Sequence, residues 1–151
     1  MQSENTGLKP LPTYGKCFVC GQSNQRGLQT PFFTDGRTAQ ATFKPDQSLL
    51  GYGHAVHGGI LGTLLDEALI WACYVQTGRF GVTAEMTVRY LKPLEVETEC
   101  IITGQMVEDK GKIWMAEAEI TDQTNRVYAR AKGKIIPMTE EQNKVLMEEL
   151  N

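Results

Sequence analysis

Between residues 57 and 76 the apolar positions recur at helical spacing, and beyond residue 81 they recur at every second position. Ile60, Leu61, Leu64, Leu65, Ala68, Leu69, Ala72 and Val75 predict one long helix opened at His57 and ended by Gly78. Ile70, Trp71 and Tyr74 widen that stripe most of the way round, so the helix is expected to be buried on most sides. Val82, Ala84, Met86, Val88 and Tyr90 alternate with Thr83, Glu85, Thr87 and Arg89, which predicts a long strand stopping near Pro93.

Upstream, Leu28–Asp35 and Arg37–Lys44 flank Asp35-Gly36, a turn signal that predicts a first hairpin. A Gly-rich loop, 45–56, leads into the helix. Downstream, Val96–Val107 and Ile113–Thr121 flank Asp109-Lys110-Gly111-Lys112 as a second hairpin, and Arg126–Ile136 reads as a further strand. Thr139-Glu140-Glu141-Gln142 has the capping-box pattern and predicts a short amphipathic helix to Leu150. Residues 1–16, polar and broken by Gly7, Pro10, Pro12 and Gly15, are expected to form an irregular arm ahead of a single domain, 17–151. The predicted order is β-β-α-β-β-β-β-α, an α+β chain with about six strands whose connections suit antiparallel pairing.

Composition narrows the function classes. Lys+Arg 15 against Asp+Glu 18 leaves a net charge of −3, which gives no electrostatic footprint for nucleic acid. The longest uninterrupted apolar run, Leu69–Val75, falls far short of the roughly 20 residues of a membrane span. The first 16 residues carry no apolar signal-peptide core, so a cytoplasmic location is expected. With 4 Cys in 151 residues the chain is not a disulfide scaffold. Cys17-x-x-Cys20 is half of a zinc knuckle. The place where a knuckle puts its histidine holds Gln25, and Cys73 and Cys100 lie inside predicted elements. Reduced thiols without a metal are therefore the expectation, and no cofactor is implied.

The stretch His57-Gly58-Gly59-Ile60-Leu61-Gly62-Thr63-Leu64-Leu65-Asp66-Glu67-Ala68, followed by Gly81-Val82-Thr83-Ala84-Glu85-Met86-Thr87-Val88-Arg89-Tyr90-Leu91-Lys92-Pro93, resembles the hotdog-fold thioesterase superfamily. Within it the chain looks most like the branch grouped with 4-hydroxybenzoyl-CoA and phenylacetyl-CoA thioesterases. Cys17-Phe18-Val19-Cys20-Gly21 with Arg26-Gly27-Leu28 is similar to an extension seen in part of that family. The resemblance implies a sheet wrapped round the long helix, homodimers or dimers of dimers, and hydrolysis of acyl-CoA thioesters. It assigns Asp66 as general base or nucleophile and the Gly59 N–H as the donor that polarises the thioester carbonyl. It gives His57 the task of orienting the thioester and Thr83 that of positioning water. One departure stands out. Where the family often carries Asn or Gln, this chain has Leu50 and Gly51, and His54 is the nearest polar substitute.

The residues themselves support part of this chemistry. A helix N-terminus offers free N–H groups backed by the positive end of the dipole, and Gly58-Gly59 places no side chain in front of them. The same glycines also suit close approach of the helix to its surroundings. Asp66 interrupts an apolar stripe, where an unpaired carboxylate costs several kcal/mol or has its pKa raised. Glu67 points about 100° away, so only one of the two acids can face the site. The resemblance favours Asp66, with Gly58, His54 and Glu67 as further substrate contacts. Gly59 and Asp66 are separated by about 10.5 Å of helix rise. That gap is wide for one carbonyl to bridge, so two antiparallel helices sharing two sites across a dimer are expected. A non-catalytic acyl-CoA or acyl-carrier binding domain is the alternative. Trp71, Tyr74, Tyr52 and Phe80 are candidates for an aromatic acyl pocket, or plain core.

Overall fold

The computed structural model describes residues 7–150, so the first six residues of the expected arm lie outside the described residues. Seven strands form one antiparallel sheet: β1 (Lys9–Pro10), β2 (Phe33–Thr34), β3 (Ala39–Phe43), β4 (Gly81–Tyr90), β5 (Cys100–Asp109), β6 (Trp114–Thr121) and β7 (Val127–Pro137). Their spatial order is β1-β2-β3-β5-β6-β7-β4. The 20-residue helix α1 (Gly58–Thr77) packs against β3 through β7, and α2 (Glu140–Glu148) follows the last strand. This is the hotdog fold, with β1 as the strand that the sequence pattern does not announce.

Small residues on the inward faces let the sheet close on the helix. On β6 and β7 the buried positions include Trp114, Ala116, Ala118, Ile120, Ala129, Ala131, Gly133 and Ile135, alternating with outward Glu117, Glu119, Arg130, Lys132 and Lys134. Gly104 on β5 lies so close to Ala68 that an added Cβ would meet the helix backbone itself. On the solvent face Arg130 pairs with Glu119 at 3.6 Å and Lys132 with Glu117 at 3.8 Å, exposed cross-strand pairs that add little stability.

Local signals hold where they are covalently close. Gly78 takes the left-handed conformation (φ 70°) and ends α1, its N–H donating to the Tyr74 carbonyl. The Thr139–Gln142 capping box opens α2. The first hairpin turns at Asp35-Gly36 as expected but is shorter, because residues 28–32 give their backbone hydrogen bonds to the N-terminal segment. Leu28 and Thr30 donate to Phe18 and Val19, and the Phe32 carbonyl accepts from Leu11. Leu11 is buried in the core, so the described part of the expected arm is built into the domain.

Strand β4 departs from the simple alternation. Its register against β7 shifts between Thr83 and Glu85, a bulge that takes up Ala84. Met86 and Val88 pack against the core as their spacing predicts, whereas Val82 is 58% exposed and Thr83 turns inward. β4 is also an edge of the sheet, paired to β7 along one side only.

Candidate active site

The bulge delivers Thr83 to the central helix. Its hydroxyl donates to Asp66 Oδ1 at 2.7 Å, which fixes the carboxylate and leaves Oδ2 for another partner. Both residues are half-buried at the α1–β4 seam. The carboxylate among apolar neighbours is thus hydrogen-bonded and stays within reach of solvent, which removes the cost that an enclosed, unpaired acid would carry.

Two turns earlier, His57 caps α1. Its Nδ1 accepts from the Gly59 N–H at 2.9 Å, so the expected carbonyl donor is held by the motif histidine. Beside this cap a groove of about 550 Å³ runs between the 51–58 loop and the end of β4, with Tyr52, His57, Gly58, Tyr90 and Lys92 among its walls. Tyr90, which sequence reasoning did not single out, donates its hydroxyl to the Gly58 carbonyl at 2.7 Å. A Cβ at Gly58 or Gly62 would make ordinary van der Waals contact with the Tyr90 ring or hydroxyl at 3.4–3.5 Å, so the tyrosine lies directly over this face of the helix. Gly51 lies against the His57 backbone, where a Cβ would sit 3.1 Å from Cα. A side chain there would require the loop or the His57 backbone to give by a few tenths of an ångström. His54 is exposed, and its backbone carbonyl accepts from the Val96 N–H. Its side chain is not among the groove walls.

Glu67, expected as a further substrate contact, lies on another face. The helix turn carries it away from the Asp66 seam and onto the N-terminal segment. There its Oε1 accepts from Trp71 Nε1 at 3.0 Å and from the Cys17 thiol at 3.4 Å. Burial pushes the Glu67 carboxyl up to about 7, with the charge of Cys17 adding to the rise. Hydrogen bonding from Cys20 pulls the Cys17 thiol down to about 5, and the same contact raises Cys20. Cys73 and Cys100 are ordinary enclosed thiols, each pushed up to about 12 by burial. Of the candidate acyl-pocket aromatics, Trp71, Tyr74 and Phe80 pack on one another at centroid distances of 4.6–5.3 Å as part of the core. Tyr52 alone faces the groove, 88% exposed.

Residues 53–129, just over half of the chain, match the profile of the Thioesterase superfamily. The chain belongs to this superfamily. A mouse acyl-coenzyme A thioesterase 13 is 27% identical over 70 residues, covering 46% of this chain and 50% of the relative. An uncharacterized protein of Schizosaccharomyces pombe is 36% identical over 59 residues, covering 38% and 34%. The chain therefore spans about half or less of the length of these relatives. Among solved structures, a thioesterase superfamily protein superposes with a TM-score of 0.74 at 22% identity, covering 81% of this chain and 60% of its own. The E. coli PaaI protein from the phenylacetic acid degradation operon gives 0.68 at 24% identity, covering 74% and 81%. A hypothetical thioesterase protein from Streptococcus pneumoniae, solved with coenzyme A, gives 0.62 at 27% identity, covering 68% and 82%. The thioesterase superfamily match spans the His57 cap, Asp66, Thr83 and the groove walls other than Gly51 and Tyr52.

Proposed function

We propose that the protein hydrolyses an acyl-CoA thioester to the free acid and CoA. The observation that carries this reading is the Asp66–Thr83 pair at 2.7 Å, an oriented carboxylate on the helix whose His57-capped N-terminus borders a groove. Asp66 takes a proton from water as the water attacks the thioester carbon. The C–S bond then breaks, and the departing CoA sulfur receives the proton. The carbonyl oxygen replaces the exposed His57 ring at the Gly59 N–H, where the helix dipole stabilises the developing negative charge. Lys92, at the groove mouth, meets the phosphates of CoA. The CoA-bound Streptococcus pneumoniae relative supports this class of ligand.

The acting unit in this proposal is a dimer. β4 is a ten-residue edge strand with Val82 and Tyr90 exposed, and an open edge of that length is normally covered. A two-fold pairing there carries α1 alongside its symmetry mate and brings Gly59 of one chain toward Asp66 of the other. Asp66→Asn and Gly59→Pro chains, each inactive alone, should regain one working site per heterodimer when subunits exchange. Well-formed heterodimers without recovery would place each site within one chain. A screen of aromatic, short-chain and long-chain acyl-CoAs should reveal hydrolysis. Tight CoA binding with no turnover on any thioester would favour the non-catalytic binding domain.

A further inference from the structure

The N-terminal segment and α1 meet at a cluster that the hydrolytic reading does not use. Cys17 Sγ, Cys20 Sγ and a Glu67 carboxylate oxygen all lie within 4.8 Å of one another. Cys17 Sγ stands 3.4 Å from Glu67 Oε1. Around a tetrahedral zinc ion, with Zn–S about 2.3 Å and Zn–O about 2.0 Å, a sulfur and an oxygen lie roughly 3.5 Å apart and two sulfurs roughly 3.8 Å. The three donor atoms therefore stand within a few tenths of an ångström to one ångström of a metal-binding face. We infer that Cys17, Cys20 and Glu67 bind one zinc ion that fastens the N-terminal segment to the central helix, with a water as fourth ligand.

The surroundings are those of a built site. The Val19 N–H donates to Cys17 Sγ at 3.3 Å, an interaction that favours the thiolate a metal requires. Gly21 follows the second cysteine directly, and a Cβ there would collide with the carbonyl oxygens of Gly15 and Cys17. The loop is thus wound tightly enough to point both sulfurs the same way. Trp71 Nε1 donates to the same Glu67 Oε1 at 3.0 Å and fixes the carboxylate in place, as outer hydrogen bonds hold metal ligands elsewhere. Cys20 is 1% exposed, and among the described residues no Lys, Arg or His forms an ion pair with Glu67. Three groups able to carry negative charge thus converge without a cation. A Cys17–Cys20 disulfide would leave the aimed carboxylate unexplained. Two thiolates select a borderline-soft ion such as Zn²⁺ over Mg²⁺ or Ca²⁺. The site stands apart from the thioesterase reading and survives the failure of that reading.

The test is elemental analysis of the full chain, purified under reducing conditions without chelator, beside Co²⁺ titration of the metal-free protein. One zinc per chain and a thiolate-to-cobalt charge-transfer band are expected. Cys17→Ser combined with Cys20→Ser should abolish both, and Glu67→Gln should weaken zinc binding by at least about tenfold. A reduced wild-type chain that takes up no zinc and gives no thiolate-to-cobalt band overturns the site, with no reliance on any variant folding. A Glu67→Gln chain that binds zinc with undiminished affinity overturns Glu67 as its third ligand.

Discussion

Asp66 and Glu67 are adjacent acids on one helix, and their surroundings have almost nothing in common. Asp66 looks onto the edge strand β4, half-buried, with a threonine hydroxyl as its partner. Glu67, a turn of about 100° away, looks onto the N-terminal segment with two thiols and an indole around it. One acid sits half-exposed at the α1–β4 seam, about two turns along the helix from the groove beside the His57 cap, while the other is enclosed and aimed at sulfur. The contrast shows that in a helix wrapped by a sheet the chemistry of a carboxylate is set by which element covers its face. Residue type and sequence neighbourhood are nearly identical for the two.

The largest effect is expected from Asp66→Asn. It keeps the shape and the threonine contact but removes the base, so turnover on the best acyl-CoA should fall by about 10²–10⁴. The melting temperature and zinc content should stay close to those of the wild type. Near-normal turnover would move the chemistry off the β4 seam.

A second change strikes the helix between its two faces. Gly104→Ala drives a Cβ into the Ala68 carbonyl, a backbone-against-backbone contact that neither side can relieve by changing rotamer. It should cost about 1–3 kcal/mol or more, lowering Tm by several degrees in a chain of this size. Turnover and zinc affinity should decline together, because both faces ride on the same helix. Thermal melts paired with both assays would show whether the faces are mechanically independent instead.

The smallest effect is expected at Thr83. Thr83→Val removes one hydrogen bond to a charged group, worth about 1.5–3 kcal/mol, so kcat should drop by roughly tenfold or somewhat more. Thr83→Ser should restore most of it, since the hydroxyl remains. If Thr83→Val changes KM alone, the threonine touches substrate rather than orienting the carboxylate.

Much of this was legible along the chain wherever a signal and its consequence are covalent neighbours. The 3.6-residue spacing located α1, His57 and Gly78 marked its ends, Asp35-Gly36 marked a turn, and Thr139 with Gln142 marked the start of α2. Asp66 stood out because a carboxylate inside an apolar stripe needs a reason. Other features left no local trace. β1 exists because the β2 edge accepts Lys9–Pro10, a pairing between segments more than twenty residues apart. The bulge at Ala84 carries no glycine or proline to announce it, and it follows from the register that β7 imposes on β4. Strict alternation therefore placed Val82 inside and Thr83 outside, the reverse of what the bulged strand does. The third donor beside Cys17 and Cys20 escaped a search of neighbouring positions because it comes from Glu67, fifty residues along.

The elements and their caps follow from the residues along the chain, because propensity, periodicity and capping act over a few residues. Which acid meets β4, which threonine reaches it and which cysteine meets a carboxylate are settled by long-range packing instead. Those outcomes depend on strand register and helix rotation. Both are fixed when the whole sheet closes on α1, and a shift of one residue in either exchanges the faces.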